Sequence, residues 1–222
     1  IPTGPGPDST YTASYTQGTL NTAKIDKELV YNGTPEGSPN LIGNPYPSAF
    51  NAFDFLAANP QVPELYFWNQ NTTPIEGPGY LAYSMEDISY FNSSGGNAAA
   101  SDSGNIPDEF VASGQGFGVK PTSNASVTFN NSMRVKTNNF NFRTASTAND
   151  NGNRIWLQLS NAAYNESTST TLIAFLDAAT DNLDTGYDSK RIGTYVSLFS
   201  QAEDQELGIQ GRSAFNENAR VT

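Results

Sequence analysis

The amino-acid sequence predicts an all-β protein, made of one or two antiparallel β-sandwich or jelly-roll-like units with long loops and one short helix. From Thr10 onward, short runs rich in Tyr, Phe, Val and Thr alternate with clusters of Asn, Gly and Ser. This pattern is typical of strands separated by turns. Residues 154–160 also alternate clearly, with Ile155, Leu157 and Leu159 on one face and Trp156 on the other. Segments with helical character are few.

The predicted strands follow from these runs and from the turn residues that separate them. Residues 171–176 are nearly continuously apolar, which indicates a strand covered on both faces. One helix is predicted over 49–58, with Ser48 as its N-cap and Asn59-Pro60 as its stop, and a weaker one over 86–90. The strands are predicted, in chain order, at 11–17, 23–30, 40–42, 64–68, 80–84, 116–121, 125–129, 140–144, 154–160, 170–176, 196–199 and 207–210.

Residues 40–48 predict a fixed corner between a strand and the helix. Leu41-Ile42 is interpreted as the end of a buried strand. Gly43 and Asn44 both tolerate positive φ, and the prolines at 45 and 47 restrict the backbone on either side of Tyr46.

The chain is predicted to have three parts. Residues 1–9 are rich in Pro and Gly and indicate a linker or frayed end. Residues 10–135 form a first β domain, and residues 136–222 form a second β-sandwich. The second part offers few strands for a sandwich, so we expect it to be incomplete at its C-terminal end, with further strands or another polypeptide completing it.

Composition excludes several classes of function. The 222 residues contain no Cys and no His, which removes the commonest nucleophile–base pairs and the commonest zinc ligand. The net charge of −11 argues against a nucleic-acid partner, because phosphates need cationic side chains. The absence of a long apolar run argues against membrane insertion. Zinc hydrolases and enzymes built on Ser-His-Asp or Cys-His groups are excluded unless another chain supplies residues, and no other pattern points to catalysis, so we expect no enzymatic activity.

An acidic segment after the apolar strand is the candidate metal site. Asp177, Asp181, Asp184 and Asp188 lie close together in the sequence, and Gly186 would let the backbone turn a carbonyl inward. Carboxylate and carbonyl oxygens are the ligands that Ca²⁺ prefers. The alternative is an acidic turn in which Asp residues serve turn chemistry and pair with Lys190 and Arg191.

A second candidate site combines aromatic and amide side chains. Tyr66, Trp68 and Asn69 are adjacent in one predicted strand and the residues after it. Aromatic faces and amides suit a carbohydrate ligand, although most aromatic rings in a β protein pack in its core.

Seven blocks of sequence together resemble a known group of proteins: Asn-Leu-Ile-Gly-Asn-Pro-Tyr-Pro-Ser at 40–48, and the segments 65–69, 112–119, 127–134, 154–161, 180–191 and 207–212. Their order and spacing resemble the C-terminal regions of large secreted and surface proteins of Flavobacterium-like Bacteroidota, which the type IX secretion system exports. The resemblance implies an extracellular or cell-surface location, the type IX export machinery as a partner, and a non-enzymatic stalk or adhesion module, with Ca²⁺ as a candidate stabilising ion. The alternatives are a carbohydrate-binding module, or a self-assembling surface-filament subunit that another chain completes by strand addition.

Overall fold

A computed structural model describes residues 18–138, 153–164, 168–193 and 196–215. The all-β class is confirmed: the described chain consists mainly of strands, with a single α-helix and three short 3-10 helices. The predicted strands at 11–17 and 140–144 lie outside the described residues. No described helix is long and apolar enough to cross a membrane.

Most of the predicted strands are present within a residue or two of their expected ends, and those at 64–68 and 154–160 match fully. The strands are β1 Ile25–Glu28, β2 Asn40–Gly43, β3 Phe50–Asn51, β4 Glu64–Trp68, β5 Ile75–Gly77, β6 Tyr80–Ala82, β7 Ile88–Asn92, β8 Gly95–Asn97, β9 Phe110–Val111, β10 Gly116–Val119, β11 Ser126–Phe129, β12 Arg154–Ser160, β13 Thr168–Phe175, β14 Ser189–Lys190, β15 Ser200–Ala202 and β16 Gln205–Arg212; the helix is α1 Ala52–Ala58, and the 3-10 helices are Met85–Asp87, Asn131–Met133 and Ala162–Tyr164.

The first sheet has the strand order β2-β10-β4-β7-β8, and all of its described pairs are antiparallel. One face is closed by α1 and by the two-stranded ladders β1–β11 and β3–β9. Four phenylalanine rings fill this core at centroid distances between 5.0 and 5.9 Å. Three of these five contacts are edge to face, a favoured ring geometry, and the other two are tilted. The rings are those of Phe50, Phe55, Phe117 and Phe129.

The helix starts later than predicted. Asn51, not Ser48, is the N-cap, and its side-chain oxygen accepts the backbone N–H groups of Phe53 (2.8 Å) and Asp54 (3.3 Å). The prediction of Ser48 was wrong because Phe50–Asn51 pairs with β9 and holds the preceding residues extended. The predicted stop is confirmed, with Asn59 as the C-cap.

The corner at 40–48 differs from its prediction in two respects. Neither Gly43 nor Asn44 adopts a positive φ. Instead the buried Asn44 amide donates to the carbonyls of Ser48, Val111 and Ala112 at 2.8–3.0 Å, and so fixes the corner. Leu41 is 82% exposed, because β2 is the outer strand of its sheet and only Ile42 faces the core.

The second sheet has the order β12-β13-β16-β14, with β15 also paired to β16. The strands β13 and β16 run parallel, which is an exception to the antiparallel prediction. Strand β13 is buried on both faces, as its apolar sequence predicts. Residues 196–199, predicted as a strand, are not one; the strand begins at Ser200 and turns back through Glu203 and Asp204 into β16.

The second sheet packs against the face of the first sheet that lies opposite α1. Tyr90 on β7 contacts Leu172, Ala174 and Ile209 across the interface. Residues 92–105 contain β8 and many buried side chains, because they form part of this interface. The helix predicted at 86–90 was also wrong, since β7 occupies most of that range. The domain boundary near residues 133–139 stays a prediction.

Candidate ligand-binding surfaces

The structure divides the predicted site residues between two neighbouring places. Tyr66, Asp184, Gly186 and Asp188 line one cleft between the first sheet and the acidic loop. Trp68 and Asn69 do not line it; they lie at the end of β4 and just after it. Sequence reasoning treated the acidic loop and the aromatic strand as separate sites, but only the fold shows that Tyr66 faces the loop.

The cleft has a volume of ≈ 590 Å³. The Tyr66 hydroxyl donates a hydrogen bond to the Glu64 carboxylate, and the Lys120 ammonium lies 4.6 Å from the centroid of the Tyr66 ring. Burial, with the Glu64 charge beside it, raises the pKa of Tyr66 well above its ordinary value of 10.0. The hydroxyl therefore stays protonated, and the ring is already covered by a cation.

The carboxylates of the acidic loop are occupied by the loop's own backbone. Asp188 accepts the backbone N–H groups of Asp184 (2.6 Å) and Gly211 (2.8 Å), one on each oxygen. Asp184 accepts the N–H and hydroxyl of Thr180 at 2.5 and 3.0 Å. Burial raises the pKa of Asp188 to about 6, and the neighbouring Asp184 charge acts in the same direction. These hydrogen bonds stabilise the turn and attach it to β16.

The remaining residues of the predicted metal site are dispersed. Gly186 does adopt a positive φ of 88°, but its carbonyl accepts the backbone N–H of Ser93 at 2.9 Å and so joins the loop to the first sheet. Asp181 pairs with Arg212 at 3.3 Å, and Asp177 is exposed. The pairing predicted with Lys190 and Arg191 was wrong for Arg191, which pairs with Glu206.

No group of three or more acidic, His or Cys side chains in the described part of the chain is arranged to hold a metal ion. Calcium binding stays a prediction from the sequence. The melting temperature in millimolar Ca²⁺ against excess chelator tests it, because an ion that binds only the folded state raises that temperature.

The second place is an exposed surface that we call the aromatic surface, formed by Trp68, Leu81 and Tyr83. The Trp68 and Tyr83 rings meet edge to face at 5.0 Å, and they remain 53% and 47% exposed. Other aromatic residues near it in sequence, such as Tyr90 and Phe91, are buried and serve packing.

A loop of amide and hydroxyl side chains, residues 69–72, follows Trp68. Asp87 holds this loop: its carboxylate accepts the Thr72 hydroxyl at 2.7 Å and the Thr72 and Asn71 backbone N–H groups at 3.1 and 3.3 Å. The Asp87 carbonyl accepts the Asn69 N–H at 3.0 Å. Because Asp87 is fully buried, these contacts are shielded from water and fix the loop beside Trp68.

Sequence reasoning missed Asp87. The spacing of Ser84 and Asp87 predicts a short capped turn, and the Ser84 hydroxyl does accept the Glu86 N–H at 3.1 Å. That signal does not say that the Asp87 side chain points inward. Its burial follows from the pairing of β7 with β4, which brings residue 87 beneath the loop after Trp68.

Charge distinguishes the first half of the chain, which carries the aromatic surface. No Lys or Arg occurs between Lys27 and Lys120. Glu76 lies beside Leu81 and Tyr83 in a shallow depression of this surface. The segments that build the aromatic surface therefore contribute negative charge and no positive charge.

The sequence matches, over residues 3–222, the profile of a family described as a domain of unknown function, DUF8693. No curated protein and no solved structure shows a significant match to the chain.

Proposed function

The chain belongs to the DUF8693 family, and we propose that it is a non-enzymatic extracellular stalk and adhesion module, carried by type IX secretion cargo, that binds glycan through the aromatic surface. The location and the export partner rest on the sequence resemblance. The binding function rests on one observation: the exposed Trp68–Tyr83 pair lies beside a polar loop that buried Asp87 holds in place.

A glycan fits the chemistry of this surface. The C–H faces of a pyranose ring pack on aromatic rings, and its hydroxyls exchange hydrogen bonds with amides. The Asn69 amide nitrogen donates to the Asp102 carboxylate at 3.4 Å. Both oxygens of that carboxylate also accept from the Asn105 amide nitrogen, each at 2.7 Å. A loop that is already ordered loses little conformational entropy on binding.

The charge of the surface selects among glycans. An acidic polysaccharide would need Lys or Arg to neutralise its carboxylates or sulfates, and the segments that form the aromatic surface supply none. Glu76 beside Tyr83 would repel such a ligand. The proposed ligand is therefore a neutral glycan.

The test is a glycan array followed by titration calorimetry of the neutral glycans that bind. We expect Trp68→Ala to weaken binding at least tenfold, because it removes the stacking face. Leu41→Ala is the matched control, since Leu41 is an exposed apolar residue on the far strand β2, and it should leave affinity unchanged. An array without neutral binders, or equal loss in both variants, would refute the proposal. The glycan should be recovered uncleaved.

The variant Glu76→Lys tests whether charge determines which glycans bind, separately from whether the aromatic surface binds glycan at all. We expect this variant to keep its neutral ligand and to gain affinity for acidic glycans. If the unaltered protein binds acidic glycans as well as neutral ones, the charge argument fails while the aromatic surface stands.

Self-assembly by strand addition is the second candidate function, and strand β12 favours it. In the described chain β12 lies at the end of its sheet and pairs only with β13. Its outward residues Ile155, Leu157 and Leu159 are 47, 45 and 44% exposed, and apolar end strands recruit further strands. Sedimentation velocity over a concentration series tests this: association that Leu157→Lys abolishes would support assembly, and a monomer at all concentrations would exclude it.

A further inference from the structure

A small cavity lies between the two sheets. Its volume is ≈ 20 Å³, and its lining includes Tyr90 and Asn97 from the first sheet and Thr170 and Arg191 from the second. This is enough room for one water molecule and too little for any larger ligand. Met85, Arg191 and Ile192 also line the cleft described above, so the cavity adjoins that cleft.

Asn97 presents an unsatisfied acceptor beside this cavity. The residue is 2% exposed, and its amide nitrogen donates to the Tyr90 hydroxyl at 2.7 Å and to the Thr170 carbonyl at 2.8 Å. The Thr170 carbonyl only accepts, so it fixes the orientation of the amide. The Asn97 side-chain oxygen is buried and has no partner among the described residues. A buried oxygen without a hydrogen bond destabilises the folded state.

Two residues that line the same cavity, Arg191 and Tyr90, carry buried donors. The Nε and one terminal nitrogen of Arg191 bind the Glu206 carboxylate at 3.1 and 2.8 Å, and the other terminal nitrogen, NH1, is buried without a partner in the described chain. The Tyr90 hydroxyl accepts from Asn97, and no described residue accepts its hydrogen. Burial raises the pKa of Tyr90 well above its ordinary value of 10.0, so the hydroxyl keeps that hydrogen.

We infer that this cavity is a binding site for one structural water, which accepts from Arg191 and Tyr90 and donates to the Asn97 oxygen. Three hydrogen bonds are the usual number for a buried water. The Asn97 oxygen disfavours a halide ion, which only accepts, and the Arg191 guanidinium disfavours a cation. The water joins β8 of the first sheet to the residue after β14 of the second sheet.

A crystal structure at about 1.5 Å resolution tests the site directly. We expect one ordered water within hydrogen-bond distance, roughly 3.2 Å, of all three side-chain atoms. A well-ordered site without density would overturn the inference. So would a bromide ion seen there by its anomalous signal after a soak.

Two variants separate the water from the ion pair that shares Arg191. Arg191→Met removes both the proposed donor to the water and the ion pair with Glu206. Glu206→Gln weakens only the ion pair. We expect Glu206→Gln to keep the water and Arg191→Met to lose it, read as a nuclear Overhauser contact from bound water to the Asn97 side-chain amide in solution. The contact surviving in both variants, or missing from the unaltered protein, would contradict the inference.

Discussion

The indole N–H of Trp156 donates a hydrogen bond to the backbone carbonyl of Gly96 at 3.0 Å. This bond joins β12 of the second sheet to β8 of the first. Next to it, Arg154 donates to the Ser94 carbonyl at 2.6 Å. The face of β12 that carries Trp156 and Arg154 therefore packs against the first sheet, and the Ile155, Leu157 and Leu159 face is half exposed.

Trp156→Phe should lower the free energy of unfolding by about 2 kcal/mol, because it removes that donor and part of a partly buried ring. Chemical denaturation measures the loss. Ile155→Ala is the control on the opposite face, where side chains are half exposed, and it should cost less than about 1 kcal/mol. Equal losses would mean that the bond to Gly96 contributes nothing.

Gly96→Ala should destabilise the protein by about 3 kcal/mol or more. A Cβ at residue 96 would lie 2.2 Å from the Pro107 backbone carbonyl oxygen, so the backbone would have to shift to accommodate it. Gly104→Ala is the matched substitution, because no atom lies within 4 Å of the Cβ it adds. Thermal unfolding compares the two, and similar melting temperatures would show that residue 96 is not close-packed.

Asp188 should give stability a distinct pH dependence. Its pKa is raised from 3.8 to about 6 by burial and by the Asp184 charge, while the hydrogen bonds from the Asp184 and Gly211 backbone N–H groups and the Arg212 charge oppose the rise. Between these values the folded state binds a proton that the unfolded chain releases, so this contribution falls as pH rises through the window. Allowing for solvent screening, the change is about 1 kcal/mol.

The measurement is the free energy of unfolding of the unaltered protein and of Asp188→Asn at pH 4 and pH 7. The variant cannot titrate at this position, so the stability advantage of the unaltered protein should be larger at pH 4. An advantage that is the same at both values, or larger at pH 7, would show that the pKa is not raised.

The turn between β15 and β16 should be open to stabilisation. Glu203 and Asp204 both have positive φ, at 47° and 64°, a backbone region that Asn and Gly adopt with less strain. Glu203→Asn with Asp204→Gly should raise the free energy of unfolding by about 1 kcal/mol. Asp204→Val, a β-branched residue, should lower it. Denaturation midpoints compare the stabilities of the two variants with that of the unaltered protein. A destabilised Asn-Gly variant would indicate that loss of the 3.3 Å hydrogen bond from the Leu183 N–H to Glu203 outweighs the relief of backbone strain.

Local sequence predicted much of the fold because strand signals are local. The runs at 64–68 and 154–160 contain β-branched and aromatic residues bounded by turn residues, so their limits match the structure. Short strands such as β3, β9 and β14 were missed, because two residues carry no periodicity and depend on a partner strand for their conformation. The Ser48 cap failed for the same reason.

Sequence patterns were enough to predict the all-β class, the helix that stops at Asn59, and the burial of β13 on both faces. The tertiary structure alone decided which face of β12 is buried, that the Gly186 carbonyl binds Ser93, and that Asp87 lies beneath the loop after Trp68. The physical reason is that conformational preference acts between chain neighbours. Burial and hydrogen-bond partners depend on residues brought together from distant parts of the chain.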